Sequence, residues 1–160
     1  SYMKDSRLGT FGVIGLISVL IFKFFCLRAL PVEWIPIALV AGHSLSRTAA
    51  ARMLMRGKYV ENNNLEKAGS AAQKLSAKSF IINLLMGFTT LVLFKFLGLN
   101  NLQLCLTVLA GFSVFIIEAH LFSFFFKWIG GYNGDCAGTV QQAAEIGFYF
   151  GLVLIFKNTF

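Results

Sequence analysis

Five apolar stretches separated by short polar windows set the pattern of this 160-residue chain. They cover about residues 11–30, 35–55, 79–97, 102–126 and 143–156. A helix needs roughly 20 apolar residues to cross the hydrocarbon of a bilayer. The first four stretches approach that length, and the fifth is short unless it starts near Val140. The pattern predicts an all-α fold: a polytopic integral membrane bundle with about five transmembrane helices, in a single membrane domain. Composition agrees, since 57% of the residues are hydrophobic and only 13% are charged.

Polar residues inside the spans refine this picture. Lys23, Lys95, Lys127 and Lys157 each follow a phenylalanine near a span end. Their four-carbon stems read as snorkelling anchors that carry the ammonium to an interface. The second stretch is the least apolar, with His43, Ser44, Ser46, Arg47 and Arg52. On a helix, His43, Ser46, Arg47 and Ala50 share a face. Charges at that depth are costly, so Arg47 is expected to face a wet cavity. Glu118, in the fourth stretch, needs a partner or a proton for the same reason. Pro31 to Trp34 reads as an interfacial turn, and the loop over 56–78 as solvated, with a short interfacial helix at 65–75.

The net charge of +7 does not point to nucleic acid, because the basic residues flank apolar spans. They serve to orient the chain instead. Five crossings place residues 1–10, 56–78 and 127–142 on one side, with Lys4, Arg7, Arg52, Arg56, Lys58, Lys67, Lys74, Lys78 and Lys127. The positive-inside rule makes that side cytoplasmic. Cys26, Cys105 and Cys136 show no CxxC or Cys/His ligand spacing, which argues against a zinc site or a disulfide framework.

The candidate chemistry lies in GGYNGDCAGTVQQAAE, residues 130–145. Gly130, Gly131, Gly134 and Gly138 allow tight turning and close approach to a ligand. A glycine-rich turn feeding a helix start offers free N–H groups to a phosphate. Asp135 is placed at the turn, with Gln141, Gln142 and Glu145 at the mouth of the helix. Acidic oxygens there can hold magnesium against phosphates. Lys4, Asp5, Ser6 and Arg7 precede the first span. If the two ends meet, Asp5, Asp135 and Glu145 supply oxygens to the metal, while Lys4, Arg7 and Arg47 neutralise phosphate. The residues by themselves name no reaction.

Two stretches carry a resemblance. MKDSRLGTFG (3–12) and GGYNGDCAGTVQQAAEIGFY (130–149) resemble blocks of the cobalamin synthase family, adenosylcobinamide-GDP ribazoletransferases. That family has a DSR-type block before a span and a GGxTGDxLGAxxExxE-type block before its last span. Leu45-Ser46-Arg47 is similar to a short Ser-Arg element between them. Asn133 stands where the family has Thr, Ala137 where it has Leu, and Gln142 at the first acidic position. The family's upstream Asp-rich segment is not within this sequence. The chain therefore reads as the C-terminal part of a longer enzyme.

The resemblance implies a transferase in the bacterial cytoplasmic (inner) membrane, its motifs facing the cytoplasm. It would join adenosylcobinamide-GDP to α-ribazole or its 5′-phosphate, releasing GMP, with magnesium as cofactor. Asp5 and Asp135 would act with the metal, and Glu145 would bind or orient it. Lys4, Ser6, Arg7 and Arg47 would bind diphosphate, cradled by the backbone of Gly130, Gly131, Gly134 and Gly138. The bilayer is the other expected partner, and a homo-oligomer stays open. The alternatives are a small transporter or channel subunit lined by Glu118, Arg47 and Lys23, a CDP-alcohol phosphotransferase-like enzyme, whose DGxxAR-type signature is absent, and a structural subunit.

Overall fold

A computed structural model describes residues 9–58, 60, 77–96, 98 and 100–157. Lys4, Asp5, Ser6 and Arg7 lie outside the described residues, as does the helix expected at 65–75. The described elements are five α-helices and one short 3-10 turn. Helix α1 is Thr10–Arg28, and the turn Val32–Trp34 leads into α2, Ile35–Arg56. Helices α3 (Ala77–Phe96), α4 (Asn101–Ile129) and α5 (Gly134–Lys157) follow.

Local chemistry accounts for the helix ends. Pro36 sits in the first turn of α2, where its missing N–H leaves nothing unsatisfied. A reciprocal cap between Asn100 and Gln103 opens α4, the Asn100 N–H donating to Gln103 Oε1 at 2.9 Å. Gly130 ends α4 in the left-handed region, φ 75°, which a side chain would disfavour. Asn133 then caps α5, its Oδ1 accepting from the Cys136 N–H at 2.9 Å.

Three of the helices are long and apolar enough to cross a membrane: Thr10–Arg28, Asn101–Ile129 and Gly134–Lys157. The expectation of about five spans therefore holds for the number of helices but not for each one's composition. Helix α2 has the length but carries His43, Arg47, Arg52 and Arg56. In α3 the apolar segment is the shorter Phe80–Leu93.

Helix α2 is nonetheless the most enclosed of the polar ones, packing against α3, α4 and α5. Its Ala38, Ala41, Leu45, Ala49 and Met53 are buried with Val140, Ala144, Phe148 and Leu152 of α5. Small residues let these helices approach closely, as packing without a hydrophobic driving force requires. Gly42 shows the closeness: a Cβ there would come within 2.5 Å of the Tyr149 ring. Gly87 and Gly111 likewise lie against Leu45 and Leu91, whereas Gly15 faces open space. Only Cys26 of α1 is buried, so α1 lies on the outside, presenting Phe11, Ile14, Ile17 and Ile21.

Contacts between α1 and α5 keep a similar sequence offset along both helices. Lys23 meets Gln142 and Glu145, Phe22 lies 6.0 Å from Phe150, and Leu30 and Pro31 share a cavity wall with Val153 and Phe156. The two helices run parallel, so both begin at the same end of the bundle. A backbone clasp joins the end of α2 to the α4–α5 turn there: Val60 N–H donates to Tyr132 O (2.9 Å) and Tyr132 N–H to Lys58 O (3.0 Å).

Candidate functional site

The start of α5 is the most open part of the glycine-rich block. Asp135 is exposed in the first helical turn, flanked by exposed Gly134 and Gly138. A Cβ at Gly134 or Gly138 would meet nothing within 4 Å. A carboxylate in the first turn is favoured by the helix dipole whatever its function. Asn133 fills the N-cap role and so fixes the helix start.

The glycines divide into two kinds. Gly130 makes the left-handed turn, and Gly131 lies against the Lys58 backbone, leaving no room for a Cβ. Gly131 thereby fits within the clasp. Gly134 and Gly138 lie on the open side of the helix, with nothing within 4 Å of an added Cβ, as is also true of Gly130.

The helix begins nine residues before the expected fifth span, at Gly134. Gln141, Gln142 and Glu145 thus lie two to three turns inside α5 and not at its mouth. At 1.5 Å per residue, Asp135 and Glu145 are separated by about 15 Å along one axis. One ion cannot take both as ligands, which corrects the joint placement of these two carboxylates. Among the described residues no three His, Cys, Asp or Glu side chains gather as a metal site. Asp135 alone fits magnesium in the limited sense that this ion commonly takes one or two carboxylates and fills its sphere with water and phosphate oxygens.

Glu145 has other partners. Its Oε2 pairs with Lys23 Nζ, and Lys23 also donates to Gln142 Oε1 at 2.6 Å. Its Oε1 lies 3.2 Å from Ser46 Oγ and 3.4 Å from His43 Nδ1. Lys23 and Glu145 side chains are only 13% and 10% exposed. Both carboxylate oxygens are therefore engaged by α1 and α2, making Glu145 the pin between three helices. The Lys23 ammonium is thus paired across helices with Glu145 and Gln142, a partnership that the anchor expectation did not contain. Gln142 supplies a neutral acceptor, so Lys23 faces one carboxylate and one amide oxygen.

Arg47 is exposed and lines a cavity of about 210 Å³ with Ala50, Ala51, Leu54, Asn83 and Gln141. That agrees with a cavity-facing arginine. No ion pair involves it among the described residues. A guanidinium is a planar fork of N–H donors whose geometry matches a phosphate or carboxylate. Sequence reading missed Asn83 and Gln141 as cavity walls, since an amide in a span carries no charge signal. It also missed the partners of Glu118, which are Arg52 and Arg56.

Residues 2–153 match the sequence profile of the Cobalamin-5-phosphate synthase (CobS) family. The chain is 36% identical over 160 residues to an adenosylcobinamide-GDP ribazoletransferase of Leptospira interrogans, covering 98% of this chain and 59% of that protein. It is 33% identical over 156 residues to the Shewanella pealeana enzyme of that name (96% and 57% covered). Against the Vibrio parahaemolyticus one it is 34% identical over 164 residues (99% and 57% covered). The chain thus spans less than three fifths of the length of these relatives. No solved structure matches it.

Proposed function

This chain belongs to the cobalamin-5-phosphate synthase family, and from that premise we propose that it carries part of the active site of an adenosylcobinamide-GDP ribazoletransferase. The reaction joins adenosylcobinamide-GDP to α-ribazole or its 5′-phosphate. A ribazole hydroxyl attacks the cobinamide-linked phosphorus, the new P–O bond forms as the bond to GMP breaks, and the hydroxyl proton is released. Phosphoryl transfer of this kind asks mainly for positioning and charge neutralisation. The single observation that carries the reading is Asp135, exposed in the first turn of α5 at the end of the bundle where α1 also begins.

In this reading the α5 N-terminus, open along Gly134 and Gly138, receives the diphosphate on its free N–H groups. Arg47 meets phosphate oxygens from the cavity it shares with Asn83 and Gln141. Lys4, Ser6 and Arg7 complete the anion site from the segment before α1. Magnesium, held by Asp135 together with Asp5, would neutralise the diphosphate and polarise phosphorus. Glu145 acts at a distance, holding α1 against α5 so that the two ends stay together.

The test is GMP release by the protein in lipid, with adenosylcobinamide-GDP and α-ribazole phosphate. The 160-residue chain is run beside an N-terminally extended form. The extended form should release GMP and yield a cobalamin product, and chelation of divalent metal should stop it. Absence of both turnover and substrate binding in the extended form defeats the proposal.

We further propose that α2 and α3 cross the bilayer with the three more apolar helices. Nine residues of α2 are buried by its neighbours, so its polar side chains face protein, a cavity or the interface and need little contact with lipid. All five crossings then put the Lys- and Arg-rich end in the cytoplasm of the inner membrane. A cysteine placed at exposed Lys58 should react with an impermeant maleimide only from the cytoplasmic face. Labelling from the outside would reverse the orientation.

A further inference from the structure

On the opposite side of α2 from Arg47, a carboxylate is buried among arginines and phenylalanines. Glu118 of α4 has no exposed surface. Its Oε2 lies 3.1 Å from Arg52 Nη1 and 3.7 Å from Arg56 Nη1, yet neither of its oxygens accepts a well-formed hydrogen bond. Arg52 and Arg56 stand one turn apart on α2, where two like charges repel unless something holds them. Glu118 holds them from below. Arg52 also lies over the Phe115 ring (5.7 Å) and Arg56 over Phe122 (4.9 Å). The side chains are still 34% and 45% exposed, so each guanidinium keeps donors facing outward.

Beneath Arg52 lies an apolar slot of about 530 Å³, walled by Phe80, Leu84, Phe88, Phe112 and Phe115. From Phe80 to Phe88 it follows α3 for about 12 Å, from near the helix start toward mid-span. Two guanidinia near a helix end, above an apolar slot between helices, match a molecule with one anionic head and an alkyl tail. The charges match as well: two arginines and one carboxylate leave a single positive charge, the complement of one phosphodiester.

We propose that this face, where α2, α3 and α4 meet, is a binding site for an anionic phospholipid. The phosphodiester is held by Arg52 and Arg56, an acyl chain fills the phenylalanine slot, and Glu118 positions the two arginines. Such basic pockets between helices suit anionic headgroups at the membrane surface. The site rests on the membrane reading of the helices and not on the transferase reaction.

The experiment places the protein in nanodiscs of phosphatidylcholine with increasing phosphatidylglycerol and counts lipids retained by native mass spectrometry. Phosphatidylglycerol should be retained in preference to phosphatidylcholine. Removing the arginines alone strands a buried carboxylate, so one variant is the neutral triple R52Q/R56Q/E118Q. A second, L84W, fills the slot and leaves every charge in place. The triple should lose retention by roughly fivefold, the scale of one net charge at a membrane surface, and L84W should lose it with the arginines intact. Inorganic phosphate and phenyl phosphate, added as soluble competitors, should not displace the lipid. Equal retention of the two lipids, or unchanged retention in both variants, would leave the triad as a staple between helices and overturn the proposal. Efficient displacement by either competitor would assign the site to a soluble phosphate and overturn it too.

Discussion

On the proposed function, changing Asp135 to alanine in the N-terminally extended form should lower GMP release by roughly 10²–10³-fold, the scale for losing one group that stabilises developing charge in a transition state. The side chain is exposed at the start of α5, and α5 keeps its Asn133 cap and its buried face of Cys136, Val140 and Ala144. Stability to thermal unfolding in detergent should therefore fall only by the helix-dipole contribution of about 0.3–1 kcal/mol, separating chemistry from folding. Asn at the same position tests the charge alone. It preserves size but replaces one carboxylate oxygen with an amide, and it should be nearly as inactive. Raised magnesium should partly restore a variant that has only lost affinity for the ion. Full turnover by both variants would remove Asp135 from the site and leave it the helix-dipole role that its position already provides.

The second large effect concerns stability. Lys23→Met leaves the Glu145 carboxylate in a site only 10% exposed without its cation. Breaking one side of a buried ion pair typically costs about 3–5 kcal/mol, because the remaining charge is uncompensated. The double replacement Lys23→Met with Glu145→Leu removes both charges and should recover most of that loss, since apolar replacements of buried pairs are often neutral or better. The measurement is the unfolding midpoint of the two single variants and the double in mixed micelles. Additive losses in the double would show that the two side chains do not act as a pair. Turnover adds a second readout. If the pin keeps the start of α1 beside the start of α5, Lys23→Met should weaken substrate binding more than Asp135→Ala does at the same folded fraction.

Much of the helical framework was legible in the chain because bilayer thickness imposes a length on every apolar segment. The first four helices begin and end within about three residues of the apolar stretches. The fifth did not follow this rule. Its first nine residues, Gly134 to Gln142, are too rich in glycine and amides to look like a span, but Asn133 caps them and α2 and α4 bury Cys136 and Val140. Tertiary packing overrode a poor local helix propensity. That one shift moved Glu145 from the helix mouth into the bundle and changed its neighbours from a metal to Lys23, Ser46 and His43.

The lysines make the same point. Lys23, Lys95, Lys127 and Lys157 all follow phenylalanine near the expected span ends and cannot be told apart by local context. Lys95 lies beside Asn101 at a helix end, donating to its Oδ1 at 2.7 Å, whereas Lys23 meets an acid 122 positions away. Glu118 was recognisable as a carboxylate in need of a partner, but nothing in its surroundings along the chain names Arg52. The sequence alone determined the all-α class, the five long helices of the described residues, the polar windows and, through two end blocks, the family. Those are properties of segment length, composition and motif, which survive any rotation of a helix about its axis. Only the tertiary structure decided which charges pair, which glycines are packed and which are open, and that α1 and α5 start at one end. Those depend on helix rotation and register, which are set by side chains meeting across distances that no local pattern records.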